Sequence, residues 1–436
     1  MLDIKKMKNK LIIADGCCYD MDCYKTRLNN NVLVVGTSGS GKTRSIVTPN
    51  ILQATGSYVI SDPKGNLYDK YGSYLRKRGY RVVKLDLIHP ENSARYNFME
   101  YIRCEQDIVK IADALYTMEN IDRDNGAFWD KAAKLLLQSV MAYLWEAGEP
   151  REQTMCSILR LLDACQIKEH SPEDKNSLDA LFEFLPNDSY AKRQYGRFRV
   201  AAGKTLKSIL ITLYAELACY DSAEFRKMTA CGEMDLRSIG DRKTAVFVIV
   251  SDTDRSMDDF ANVFFSQALN ELCTHADTEC ENNRLPVDVR FILDDFATNV
   301  VIKEFPRMIA SIRSRGISAT LMIQAESQLR AAYRNDDRTI IGNCDTYVYL
   351  GGNDIETAEN VARRMDVPTT DILYMPLEEC VVFRRGSRPH MGRIFNLEEY
   401  EAALSKGNGR KKAQNTGHSL EVVKDGGGID EDERAI

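Results

Sequence analysis

Two rhythms divide the hydrophobic positions of this chain. Short apolar runs come first, bounded by glycine, asparagine and aspartate: Leu11–Ala14, Val32–Val35, Ser57–Ser61 and Arg81–Leu87. Runs of that length with little polar alternation predict strands of a parallel sheet joined by crossover helices. From about Cys104 to Gly232 the period changes. Phe128, Ala132, Leu135, Leu136, Ser139, Val140 and Tyr143 recur at helical spacing, and Ile158, Leu161, Leu162 and Cys165 make a second such face. The helix around 132–145 also carries Lys134 and Gln138, and reads as amphipathic. Strands resume with Thr244–Val250, Val289–Leu293, Ile317–Ile323, Thr346–Leu350 and Cys380–Arg384. The pattern predicts an α/β domain built from residues 1–103 and 233–404, with an all-helical insert at 104–232. Residues 405–436 turn to glycine, lysine and acidic positions and read as a solvated tail.

The run Val32–Val35 leads into Gly36-Thr37-Ser38-Gly39-Ser40-Gly41-Lys42-Thr43. Buried strand, glycine-rich loop and helix start, in that order, are the context in which G-x-x-x-x-G-K-[ST] binds nucleoside triphosphate. Glycines let successive backbone N–H groups turn toward a phosphate. The helix start adds unpaired donors and a positive dipole end. Lys42, expected on the surface of the loop, would reach the β- and γ-phosphates, and the Thr43 hydroxyl would hold Mg²⁺. The following helix is predicted to be interrupted at Pro49 and to close at Gly56.

A second site is predicted where Arg290-Phe291-Ile292-Leu293 ends in Asp294-Asp295. The first acid would sit at the C-terminal edge of the sheet and hold Mg²⁺, and the second would polarise the attacking water. A simple strand-to-loop cap has the same appearance, so the weight comes from the phosphate loop in the same sheet. Gln324 ends the strand Ile317–Ile323 on that edge, either as a sensor of the γ-phosphate or as a cap of the next turn. Arg313 and Arg315 precede the same strand at its far end, about 20 Å away at 3.3 Å per residue. They could line a surface, or complete a neighbouring subunit's site.

Composition narrows the setting. At 436 residues, 44% hydrophobic and 28% charged, the chain is an ordinary globular protein. A net charge of −6 confines any DNA contact to a local basic lining. Twelve cysteines occur without a repeated C-x-x-C, and Cys17, Cys18 and Cys23 have no histidine nearby, which favours reduced thiols over a metal site. No run of eighteen apolar residues predicts a membrane span.

GTSGSGKTRSIVTPNI, SDPKGNLYDKYG, the FWDKAAKLLLQ helix, FILDDFA, IRSRGISATLMIQAESQL and GNCDTYVYLGG follow one another in this order. Together they resemble the type IV coupling proteins of conjugative DNA-transfer systems, over about residues 25 to 400. The resemblance implies a RecA-like P-loop domain with a mostly parallel sheet and an inserted all-α domain. It also implies a homo-hexamer that links a relaxase–DNA complex to the secretion channel at the inner face of the cell membrane. By motif, Gly36, Gly39, Gly41, Lys42 and Thr43 would cradle phosphate and metal. Asp294 would be the metal-associated acid, Asp295 the water-orienting acid, Gln324 the sensor, and Arg313 or Arg315 an arginine finger.

Two features depart from that family. Its second acid is usually Glu where this chain has Asp295, and it usually begins with transmembrane helices where none is seen here, which leaves a soluble variant, a separate membrane anchor as partner, or a shortened chain as the alternatives. The expected function is an ATP- and Mg²⁺-dependent motor for DNA, single-stranded and relaxase-bound. The alternatives are a nucleotide-gated substrate receptor with little pumping, which Asp295 favours, and a double-stranded-DNA translocase of the segregation type.

Overall fold

The computed structural model describes residues 4–116, 126–165, 175–201 and 203–405. The tail beyond 405 and the side chain of Phe128 lie outside the described residues. Eleven strands occur among those described: β1 (Lys10–Ala14), β2 (Cys17–Asp20), β3 (Val32–Val35), β4 (Ser57–Pro63), β5 (Arg81–Asp86), β6 (Thr244–Val250), β7 (Val289–Leu293), β8 (Ile317–Ile323), β9 (Thr346–Tyr349), β10 (Glu379–Arg384) and β11 (His390–Arg393). β1 and β2 form an antiparallel hairpin, and the other nine make one sheet in the order β11-β10-β9-β3-β8-β7-β4-β6-β5. From β9 to β5 every pairing is parallel; β10 and β11 add an antiparallel edge.

The predicted strands are all present, and the reason is burial on both faces. β3, β6 and β7 are buried at every position, whereas β5, at the edge, is only half-buried along most of its length. β2 and β11 were not anticipated from the apolar pattern. Their sequences, CCYD and HMGR, lie half-buried or exposed and carry no hydrophobic run.

Helices cover both sheet faces. On one, Ile46, Ile51, Leu67, Tyr71 and Leu75 pack on Val32, Val34, Ile60, Phe247 and Ile292. On the other, Leu33, Val35, Val59, Phe291 and Leu293 belong to a core that takes in Phe260, Phe264 and Leu272 of the helix Asp258–Thr278. That core runs on without a break into the helical stretch between β5 and β6, through Leu136, Val140, Ile158 and Leu162. No strand occurs in this stretch among the described residues.

Two local expectations need correction. The helix Gly126–Ala147 is not one-sided: Ala132, Ala133, Leu136, Leu137, Gln138, Ser139, Val140, Met141 and Ala142 are all buried, because neighbouring helices enclose it. Its amphipathic reading came from two polar residues, and Ser139 satisfies its hydroxyl on the Leu136 carbonyl. Pro49 does not interrupt the helix after the phosphate loop. The first turn, Thr43–Val47, is a wide π-turn in which the Thr48 N–H donates to the Thr43 carbonyl. The extra residue in that turn relieves the clash a proline ring makes with the carbonyl four residues back, so the α-helix Thr48–Gln53 carries Pro49 in its first turn.

Candidate functional site

The loop after β3 is held from both sides by its neighbours. The Gly36 N–H donates to the Ile323 carbonyl of β8 (3.1 Å), and the Thr37 N–H to the Gly351 carbonyl after β9 (3.2 Å). The loop therefore lies on the C-terminal edge of the sheet, between two strands distant in sequence. Gly36 is required by space: a Cβ there would lie 2.5 Å from Ser40 Oγ and 3.0 Å from Leu350 Cβ. Gly39 and Gly41 adopt φ of 80° and 85°, a backbone that a side chain would strain. Their N–H groups take no backbone partner among the described residues, and the helix that follows has the free N–H groups of any first turn. Ser40 Oγ is buried with no hydrogen-bond partner among them. The cradle thus presents donors with nothing among the described residues to receive them, which fits a phosphate.

Lys42 is not on the surface as expected. It is 8% exposed, folded back so that Nζ donates to the carbonyls of Gly36 (2.6 Å) and Thr37 (3.1 Å). Burial lowers its pKa, opposed by the nearby charges of Asp294 and Asp295.

The contact that joins the two predicted motifs spans 251 positions: the Thr43 hydroxyl donates to Asp294 Oδ2 at 2.9 Å. The other oxygen, Oδ1, accepts the N–H of Asp295 at 3.1 Å. Asp294 is 9% exposed, and burial raises its carboxyl pKa, with the charge of Asp295 adding to the rise. A hydroxyl and a carboxylate oxygen side by side are hard donors of the kind Mg²⁺ takes, and a divalent cation would offset the repulsion between the two acids. Asp295 is half-buried, with φ of 51°, at the turn that ends β7.

Gln324 ends β8 on this edge, with its side chain exposed. It does not cap the next turn; its N–H instead donates to Gln328 Oε1 (2.8 Å). Arg313 and Arg315 lie at the opposite edge, as their position before β8 demands. Arg315 is held by Asp277 through two bonds of 2.8 and 2.7 Å, whereas Arg313 is exposed, with one contact to the Arg27 carbonyl (3.3 Å). One residue of the site carries a role that the sequence reading missed. Asp62, where the DPKG stretch begins at the end of β4, is 1% exposed and accepts the N–H groups of Leu67 (3.0 Å) and Tyr68 (2.7 Å), capping the helix Asn66–Lys77. Burial pushes its carboxyl up to about 6, with Asp69 and Asp294 adding to it. An aspartate between an apolar strand and a glycine turn was the available signal.

Comparison with known proteins bears on the fold and the family. The chain is 21% identical over 382 residues to the type IV secretion system-coupling protein VirD4 of Bartonella henselae, covering 83% of this chain and 56% of that one. It is 22% identical over 358 residues to the conjugal transfer protein TraG of Escherichia coli, covering 76% and 54%. It thus spans about half the length of both. The bacterial conjugative coupling protein TrwB, solved with sulphate, superposes with a TM-score of 0.64 at 17% identity, over 90% of this chain and 92% of that one. The form of TrwB with ADP and Mg²⁺ gives 0.63 at 18%, with the same coverage. At these identities the likeness to TrwB establishes the α/β P-loop fold. The family model for type IV secretory system conjugative DNA transfer matches residues 3–371, and the chain belongs to that family.

Proposed function

We propose that this chain is a P-loop ATPase that drives DNA, single-stranded and bound to a relaxase, into a type IV secretion channel. The hydrogen bond from Thr43 to Asp294 carries the reading, because it brings the phosphate loop and the acidic strand end into one site. The N–H groups of the loop and Lys42 would bind and orient the triphosphate. Thr43 and Asp294 would hold Mg²⁺, which supplies charge neutralisation between the phosphates. Asp295 would take a proton from the attacking water, and Gln324 would contact the γ-phosphate. The TrwB form with ADP and Mg²⁺ supports the choice of nucleotide and metal.

In this reading the arginine comes from a neighbour in a hexameric ring, and Arg313 is the better placed, since Asp277 already holds Arg315. Among the described residues no helix is long and apolar enough to cross a membrane. In this reading the chain works at the inner face of the membrane, held there through its partners.

Asp295 supports a second reading, a nucleotide-gated receptor, because its side chain is one methylene shorter than the usual glutamate. ATP turnover with and without single-stranded DNA, beside a mass measurement of the assembly, separates the two. A motor gives DNA-stimulated hydrolysis that Lys42→Ala abolishes. ATP binding without turnover leaves the gate, and wild-type turnover in Lys42→Ala refutes the site.

A further inference from the structure

A crevice opens at the N-terminal edge of the sheet, on the opposite side from the phosphate loop. It has a volume of about 70 Å³ and lies between the starts of β4, β7 and β8 and the loop before β3. Arg284, Arg290 and Arg313 line it, and Asp288 is its one carboxylate. Arg290 is the unusual member. It is 8% exposed, yet among the described residues no carboxylate pairs with it. Its Nη1 donates to the Asn30 carbonyl (3.1 Å) and Thr320 Oγ1 (3.2 Å), and its Nη2 meets only Met21 Sδ at 3.9 Å. Asp288, which could have matched it, is taken by Arg284 at 2.5 Å.

A guanidinium out of water whose nearby carboxylate is already bonded to another arginine is costly, and two neutral oxygens do not make up for an anion of its own. Burial accordingly pushes the pKa of Arg290 down to about 10. Three guanidinium groups face one carboxylate, so the crevice retains two positive charges. Guanidinium groups lining a small cavity are suited to a tetrahedral oxyanion. We propose that this crevice is a second anion site that takes a phosphate group, distinct from the nucleotide site. The buried Arg290 provides the charge, and Arg284 and Arg313 close on the ion from the rim. A cavity of this volume holds a group of phosphate size, so the ligand is a free phosphate or the terminal phosphate of a chain whose remainder lies outside the crevice. The inference does not rest on Arg313 acting in hydrolysis, because Arg290 and Arg284 carry it.

Thermal unfolding of the full chain, with the nucleotide site saturated by Mg²⁺-ADP, tests it. Inorganic phosphate is titrated against chloride at matched ionic strength. In the wild type the midpoint should rise and then level off with phosphate. Arg284→Gln, partly exposed, should weaken the apparent affinity on the order of tenfold, and Arg290→Met should abolish the response. If Arg290→Met does not fold, Arg284→Gln decides. An unsaturable rise shared by wild type and variants is the general salting effect of phosphate and overturns the site, as does a response equal to that of chloride. Single-stranded oligonucleotides with and without a 5′-phosphate identify the source. Competition by the phosphorylated form alone assigns the site to chain ends, and competition by neither assigns it to the free ion. Equal competition by both would mean that phosphodiesters enter, and would overturn the terminal-phosphate assignment.

Discussion

Replacing Asp294 by asparagine should strengthen the fold and weaken the proposed site at once. Asp294 sits 9% exposed beside a second acid, and burial together with that charge holds its pKa above the ordinary value. At neutral pH the ionised carboxylate therefore costs the metal-free protein stability that the unfolded chain does not lose. Asparagine has the same shape and can keep both hydrogen bonds. Its carbonyl accepts from the Asp295 N–H, and its amide donates to Thr43 Oγ, which now acts as the acceptor. With packing and bonds retained, removing the charge should stabilise the protein and raise its melting temperature. The same change removes a charged ligand from Mg²⁺. A charge-assisted contact is worth about 1.5–3 kcal/mol, so the affinity for Mg²⁺-ATP should fall roughly ten- to a hundredfold. Differential scanning calorimetry in EDTA reads the first effect, and isothermal titration with Mg²⁺ and a non-hydrolysable ATP analogue reads the second. A melting temperature several degrees lower would show that the carboxylate is a structural keystone. Unchanged affinity would remove Asp294 from the metal site.

The other predictions use single changes at residues described above. Gly36→Ala places a methyl 2.5 Å from Ser40 Oγ and 3.0 Å from the buried Leu350, so it should cost about 1–3 kcal/mol and displace the loop, seen as lower stability and lost nucleotide affinity; full affinity would show that the loop yields easily. Asp295→Glu should raise turnover if the shorter acid limits hydrolysis, and an unchanged or slower rate counts against that idea. Arg313→Ala should leave stability and ATP binding intact while nearly abolishing turnover. Mixing it with Lys42→Ala subunits should restore part of the activity, and no recovery in mixed assemblies would sink the shared site. Asp258 is held up to about 6 mainly by burial, against 3.8 when unfolded, so between those pH values the fold keeps a proton that the unfolded chain has lost. Stability should therefore fall as pH rises through that window, and Asp258→Asn should flatten the fall in a urea-unfolding series taken pH by pH.

Much of this architecture is local and was legible for that reason. A parallel strand buried on both faces must be apolar almost throughout, so β3, β6, β7 and β8 can be read directly from VLVV, TAVFVIV, VRFIL and ISATLMI. The phosphate loop is largely local, since the positive φ of Gly39 and Gly41 and the approach of Gly36 to Ser40 arise within eight residues, although Leu350 also crowds Gly36. Strands whose partners are solvent or a single neighbour, such as β2 and β11, have no such constraint and left no pattern.

Contacts between distant segments were decided by the tertiary structure. The sheet order sets β3 between β8 and β9, and this is what anchors the phosphate loop to residues 323 and 351. The same order brings Thr43 to Asp294 and binds Arg315 to Asp277 while leaving Arg313 exposed. Arg290 shows the limit most plainly. In sequence it is one charge at the start of an apolar run, and its burial without an ion pair of its own follows from which strands and loops close around it. Hydrophobic period records whether a residue faces the core, but the electrostatic partner of a buried charge is chosen by packing across the whole fold.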